Sequence, residues 1–280
     1  MNDDLLATIA DRVSNVRGVQ AVVLGGSRGR GATQPDSDYD IGLYFDSPDT
    51  FDIAALNGIA RDLDDEHRDA LCTPVGGWGP WVVGGGWLRV AGKPVDFIYR
   101  ELPRVRRIVD ECVHGKVSVH YQAGHPFGFV SSIYAGEAAT CHVFWDRDEE
   151  ISQLKAKLYP YPSALKHAII NAFAWEAGFC VDIARKPVQR ADAAYVNGAL
   201  FRGVTCLTQT LFALNEQWWL NEKGAVALAS AFAHTPANYA ERVNTMFASD
   251  LARAVEILEE LEREVNLFIA PTVAGTTLSG

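Results

Sequence analysis

Two aspartates and a glycine-rich stretch lie close together near the start of the chain. Gly25-Gly26-Ser27 follows one apolar run, and Asp38 and Asp40 precede the next. Since side chains alternate along a strand, the two aspartates would point to the same face. Two carboxylates held together repel each other, and a bound cation relieves that repulsion. Oxygen ligands with no histidine nearby favour Mg²⁺, so the pair predicts a magnesium site.

The glycine-rich stretch before the aspartate pair predicts a phosphate-binding loop. Glycines let backbone N–H groups approach a phosphate closely, and a following helix adds the positive end of its dipole. The hydroxyl of Ser27 can donate to a phosphate oxygen, and Arg28 and Arg30 supply positive charge nearby. The predicted triphosphate ligands are therefore Gly25, Gly26, Ser27, Arg28 and Arg30. The alternative for the whole stretch is a solvated polar turn between two strands.

A third carboxylate stands in a later apolar run. Asp96 lies between Val95 and Phe97, and a buried strand rarely carries an unpaired aspartate. If its strand lies beside the strand of Asp38 and Asp40, three carboxylates can hold two Mg²⁺ ions about 3.5–4 Å apart. That arrangement suits in-line displacement at phosphorus, because one ion activates an acceptor hydroxyl and the other neutralises a leaving pyrophosphate. Asp38, Asp40 and Asp96 are thus the predicted metal-binding and catalytic residues.

The elements that must position these residues alternate between helix and strand. Apolar spacing predicts helices over 3–16, 50–67 and 102–115 and strands over 19–25, 39–45, 81–90 and 94–100. The last two strands form a hairpin with the predicted turn Ala91-Gly92-Lys93. From about residue 148 only helical patterns follow, including one over 190–224. The fold class is therefore α+β, with a mixed sheet followed by a helical bundle.

The spacing of the motifs resembles that of the DNA polymerase beta-type nucleotidyltransferase superfamily. Its signature is Gly-Gly/Ser, a spacer, Asp-hydrophobic-Asp/Glu and a later strand Asp, matched here by Gly26-Ser27, Asp38-Tyr39-Asp40 and Asp96. Members share a mixed-sheet palm and use Mg²⁺ to transfer a nucleoside monophosphate from a nucleoside triphosphate to a hydroxyl. The resemblance covers about residues 18–100. It implies that Gly26 and Ser27 hold the triphosphate and that the three aspartates bind the metals.

The whole chain is similar to bacterial members in which helices follow this domain. The predicted parts are a nucleotidyltransferase domain at 1–115, a connecting region at 116–147, a helical substrate-binding bundle at 148–270 and a loosely ordered tail at 271–280. Antibiotic adenylyltransferases of the aminoglycoside and lincosamide type share this plan, which implies transfer of AMP from ATP to a small-molecule hydroxyl. The formal net charge of −10 suits a cationic acceptor and disfavours nucleic acid.

Two other functions stay open, and so do two residue assignments. The alternatives are protein- or RNA-modifying nucleotidyl transfer of the antitoxin type and a non-catalytic nucleotide sensor. Glu137 is a candidate general base, since apolar neighbours raise the pKa of a carboxyl group, while an exposed helical glutamate is the simpler interpretation. In the Gly/Trp tract, packing of Trp78, Trp81 and Trp87 is favoured over a stacking surface for a base or sugar.

Composition restricts location and redox chemistry. No stretch of about 18 uncharged apolar residues appears, and the acidic start differs from a secretory signal, so no membrane association and a cytoplasmic location are expected. The five cysteines are odd in number and form no C-x-x-C pair. Buried free thiols are therefore favoured over a zinc knuckle or a disulfide framework.

Overall fold

The structure is a computed structural model that describes residues 3–29 and 38–274. The chain divides into two compact units whose segments alternate along the sequence. The sheet unit comprises Met1–Glu111, Val119–Gly124 and Gly128–Pro160. The helical unit comprises Cys112–Ser118, His125–Phe127 and Tyr161–Gly280.

Up to residue 113 helices and strands alternate as the apolar spacing predicts, whereas the elements between 116 and 147 were not predicted. In chain order the elements up to residue 157 are α1 (Asp3–Ser14), β1 (Val19–Leu24), α2 (Gly26–Gly29), β2 (Tyr39–Phe45), α3 (Ile53–Leu63), β3 (Gly85–Val90), β4 (Lys93–Glu101), α4 (Leu102–Val113), β5 (Val119–His120), β6 (Phe129–Val130), α5 (Ser132–Thr140), β7 (His142–Asp146) and α6 (Glu150–Lys157). The later elements are helices: α7 (Ser163–Val188), α8 (Ala193–Leu214), α9 (Ala225–Ala229), α10 (Tyr239–Ala248) and α11 (Leu251–Ala274).

The main sheet has five strands in the order β3-β4-β2-β1-β7. β2 and β4 run parallel, while the pairs β1–β2, β1–β7 and β3–β4 are antiparallel. The sheet is therefore mixed, and helices alone follow β7 in the described part of the chain. The predicted α+β class, a mixed sheet followed by a helical region, is confirmed.

One face of the sheet carries the apolar core of the sheet unit. Ile41 and Leu43 of β2 and Phe97 and Tyr99 of β4 are fully buried and pack with apolar residues of α1 and α3. Since successive strand residues point to opposite faces, Asp40 and Asp96 must point to the other face. α3 begins at a capped end, where the side chain of Asp52 accepts from the Ala55 N–H at 2.9 Å.

The hairpin between β3 and β4 is tighter than predicted. Its turn is Ala91-Gly92, with φ of 50° and 73°, while Lys93 already belongs to β4. β3 begins only at Gly85, because Gly84 takes a positive φ and interrupts the extended backbone that was predicted from residue 81.

The helical unit also differs from the prediction at two places. The helix predicted over 190–224 ends at Leu214, and Glu216 just beyond it has a φ of 55°, which a helix cannot continue through. α10 was not predicted. α8 approaches α11 closely at Gly203, where an added Cβ would lie 2.7 Å from Leu258. The absence of strands after residue 148, in the described part of the chain, agrees with the prediction.

The structure bears on two predictions from composition, one about the cysteines and one about membrane-spanning segments. All five cysteines are buried free thiols, as expected. None of the helices in the described part of the chain combines the length and the apolar character that a membrane span needs.

Candidate active site

Asp40 and Asp96 lie side by side at the centre of the sheet. In the parallel pairing of β2 with β4, Asp40 is in register with Asp96. Neighbouring strands are about 4.8 Å apart, and residues in register point to the same face. Both residues are partly exposed. The expectation that the strand of Asp96 lies beside that of Asp40 is therefore met, which brings two of the three predicted metal ligands together.

The glycine-rich loop lies directly against Asp40. Gly25 N–H donates to the backbone carbonyl of Asp40 at 2.8 Å. Gly26 has a φ of +59°, and a Cβ built there would lie 1.8 Å from Oδ2 of Asp40. Position 26 therefore requires glycine for two reasons. The backbone there is left-handed, and the Asp40 carboxylate occupies the space that a Cβ would need.

Arg28 fixes the start of β2. Its Nε donates to the backbone carbonyl of Asp38 at 3.2 Å, and its guanidinium carbon lies 3.8 Å from the ring centroid of Tyr39. These contacts hold the guanidinium against the Asp38 backbone and the Tyr39 ring, at the point where β2 begins. Arg30 lies outside the described residues, and of Ser27 only the backbone, within α2, is described.

The donor set at Asp40 and Asp96 fits Mg²⁺. Among residues 3–29 and 38–274, no group of three or more His, Cys, Asp and Glu side chains could by itself hold a metal ion. Mg²⁺ is commonly bound by one or two carboxylates, while water and substrate phosphates fill its other positions. A carboxylate pair beside a glycine loop therefore suits Mg²⁺ shared with a triphosphate. The part played by Asp38 stays a prediction.

Glu137 forms an ion pair with a buried arginine. Its carboxylate accepts from Nε of Arg100 at 2.7 Å and from Nη2 at 2.6 Å. Arg100 is 4% exposed and stands four positions after Asp96 on the same face of β4. Although burial lowers the pKa of Arg100, the Glu137 carboxylate raises it above its ordinary value. The role of Glu137 as general base stays a prediction, and the structure shows it bound to Arg100.

Sequence reasoning did not identify Arg100 as part of this face. Arg100 is in register with Tyr44, whose pKa burial raises well above its ordinary value. Alternation along β4 places Arg100 and Asp96 on one face, and this alternation could have identified Arg100 from the sequence. Its partner on α5 lies 37 positions away along the chain, beyond the range of any local pattern.

The three tryptophans of the Gly/Trp tract have different surroundings. Trp81 stacks against both His120 and Phe129, with ring centroids 4.1 and 5.3 Å away, as the packing interpretation expects. Trp87 is 61% exposed and stands directly opposite Asp96 in the antiparallel pair of β3 and β4. Trp78 stacks on Trp87 with a centroid distance of 4.7 Å. Two of the tryptophans therefore lie on the face of the aspartate pair.

The chain is similar to a known protein family and to solved structures. The family described as "Nucleotidyltransferase domain" matches residues 6–109, which include the loop, both aspartates of the pair and β3. No curated protein sequence matches the chain. Among solved structures, the chain is similar to a nucleotidyltransferase-like protein from Exiguobacterium sibiricum 255-15, with 9% identity, a TM-score of 0.43, and coverage of 94% of this chain and 78% of that one. Residues 6–109 therefore form a nucleotidyltransferase domain, which supports nucleotidyl transfer as the general activity of this enzyme.

Proposed function

We propose that this enzyme transfers AMP from ATP to a hydroxyl group of a small molecule and releases pyrophosphate. The observation that carries the proposal is the register of Asp40 with Asp96, with Gly26 held against the Asp40 carboxylate. A carboxylate pair beside a glycine loop matches the needs of phosphoryl chemistry, which depends on positioning and on charge stabilisation.

Each residue of the site has a distinct task in this proposal. Asp40 and Asp96 would hold Mg²⁺, with Asp38 as the third ligand if two ions bind. When bound, Mg²⁺ would neutralise charge on the triphosphate and lower the pKa of the acceptor hydroxyl. Gly26 lets the loop backbone lie directly against the Asp40 carboxylate, and Arg28, held by Tyr39, supplies a fixed positive charge.

The acceptor is proposed to be cationic. The chain has a formal net charge of −10, which favours encounter with positively charged small molecules over nucleic acid. An aminoglycoside-like molecule, with several hydroxyl and ammonium groups, satisfies both the charge and the chemistry. The general location proposed for the enzyme is the cytoplasm, where ATP and Mg²⁺ are available.

The proposal is tested by measuring pyrophosphate release. ATP, GTP, CTP and UTP are each supplied with Mg²⁺ and a panel of aminoglycosides, lincosamides, RNA and protein. We expect ATP and a small-molecule acceptor to give turnover, and Asp40→Asn and Asp96→Asn to lower it at least about 100-fold, since metal binding supplies several kcal/mol. Asp46→Asn, at an exposed position just beyond the far end of the same strand, is the matched control and leaves turnover unchanged.

Three results would contradict the proposal. Turnover that survives Asp40→Asn would exclude the carboxylate pair as the active site. Transfer onto RNA or protein in preference to every small molecule would favour an antitoxin-type activity. ATP binding without any Asp40-dependent transfer would favour a nucleotide sensor.

A further inference from the structure

We infer that Trp78 and Trp87 form a stacking platform for the acceptor, and that the acceptor presents a sugar-like ring to it. The inference rests on the proposed function, because it assigns a substrate surface to that same site. The Trp platform is defined here as the stacked indoles of Trp78 and Trp87, on the face of the sheet that carries Asp40 and Asp96.

The platform stands beside the carboxylate pair. Trp87 is directly opposite Asp96 on the neighbouring strand, so the two side chains share a face and their backbones are about 5 Å apart. Trp78 covers one side of the Trp87 indole, with a centroid distance of 4.7 Å and an angle of 21° between the rings. Since Trp87 is still 61% exposed, its other side is open to solvent. A large exposed aromatic beside a reactive centre is typical of a binding surface.

The platform is held in place before any ligand binds. Gln122, 2% exposed, donates from Nε2 to the Trp78 carbonyl at 2.8 Å. Its Oε1 accepts from the N–H groups of Trp81 and Val82 at 2.9 and 3.1 Å. Trp78 also lies so close over β3 that a Cβ at Gly85 would be 2.5 Å from its ring. A platform fixed in this way loses little conformational entropy on binding.

The order of the strands assigns the platform to the acceptor. Across this face, β1 with the glycine loop, β2 with Asp40, β4 with Asp96 and β3 with Trp87 follow one another. In an in-line displacement, the attacking hydroxyl and the leaving pyrophosphate stand on opposite sides of the reacting phosphorus. If the triphosphate lies at the glycine loop, the acceptor comes from the side of β3. Trp87 lies on that side, next to Asp96.

The chemistry of the platform points to the kind of acceptor. An open indole offers a flat apolar surface to the C–H face of a saturated ring, and its π face attracts ammonium groups. The neighbouring carboxylates add negative charge. A hydroxyl-bearing ring that also carries amino groups fits all three features.

The test compares acceptor and nucleotide constants in variants of the full-length chain. With kanamycin, streptomycin or lincomycin as the acceptor, we expect Trp87→Ala to raise the acceptor KM about 5- to 30-fold, the effect of losing 1–2 kcal/mol. The KM for ATP and the Kd of the non-hydrolysable analogue AMPCPP stay unchanged. Trp87→Tyr keeps an aromatic face and retains most of the affinity, and Tyr159→Leu, an exposed aromatic in the same unit, is the matched control.

Each other outcome overturns the inference. A rise in the Kd of AMPCPP with an unchanged acceptor KM would make the platform a nucleobase site. Unchanged constants in both Trp87→Ala and Trp87→Leu would remove any binding role. Trp87→Leu also replaces Trp87→Ala if the alanine variant does not fold. If the unaltered chain turns over no acceptor faster than Asp40→Asn does, the proposed function itself fails. This comparison does not involve the Trp87 variants, so the two failures can be told apart.

Discussion

Replacement of Gly26 by alanine has two effects that can be measured separately. It strains the left-handed backbone at position 26, and it displaces the Asp40 carboxylate. The added Cβ would lie 1.8 Å from Oδ2 of Asp40, whereas ordinary contacts begin near 3.4 Å. The carboxylate must therefore move by about 1.5 Å, and a displacement of about 1 Å in a reacting site lowers a rate about 100-fold. Because the moving group is the end of a side chain, the clash itself adds little to the free energy of unfolding.

Gly92 provides the matched control for this prediction. It has a φ of +73°, close to the +59° of Gly26, and no described atom lies within 4 Å of a Cβ built there. Both alanine variants should lose about 1–2 kcal/mol of stability through the left-handed backbone alone. Thermal unfolding should therefore give similar losses for Gly26→Ala and Gly92→Ala.

Activity should distinguish the two variants. We expect Gly26→Ala to lower the kcat of pyrophosphate release at least about 100-fold and Gly92→Ala to leave it unchanged. The reasoning is refuted if Gly26→Ala keeps kcat within about threefold of Gly92→Ala, a difference under 1 kcal/mol. It is also refuted if both variants lose activity equally, since backbone strain would then be the whole cause.

Two further predictions concern ion pairs of the sheet unit. Glu137→Gln should lower the free energy of unfolding by about 3 kcal/mol, because it leaves the buried Arg100 without its counter-charge. A fall in kcat with little change in stability would instead identify Glu137 as the general base. Asp64 is fully buried, and hydrogen bonds from the Arg68 side chain hold its pKa below the ordinary value. The ionised Asp64 therefore stabilises the fold fully above about pH 4, and this stabilisation is lost as the pH falls further. Denaturant unfolding should show Asp64→Asn about 1–3 kcal/mol less stable at pH 7, with a difference that shrinks below pH 4, and a constant difference would contradict this assignment.

The short-range features of the site were predictable from the sequence. Alternation of polar and apolar residues identifies β2 and β4, and the motif spacing selects Asp40 and Asp96 within them. These signals are local, because each depends on a few neighbouring residues. The parallel register of β2 with β4 is different, since 52 residues separate Asp40 from Lys93 of β4 and no local pattern sets their alignment.

The position of Trp87 was missed because of a single residue in a turn. A two-residue turn at Ala91-Gly92 pairs Val90 with Lys93, and counting back along both strands sets Trp87 opposite Asp96. The predicted three-residue turn shifts this alignment by one residue, so that Trp87 would stand opposite Phe97 instead of Asp96. The signal was weak because two-residue hairpin turns favour Asn-Gly or Asp-Gly, whereas Ala91 is an unusual residue at positive φ.

The burial of every cysteine makes the natural sequence a suitable background for covalent labelling. Burial raises the pKa of the Cys72 and Cys141 thiols to about 11, so little thiolate, the reactive form, is present at neutral pH. A cysteine introduced at an exposed position, such as Tyr159→Cys, would react with maleimide far faster than the native thiols. A fluorophore or spin label can thus be attached at one chosen site without first removing any native cysteine.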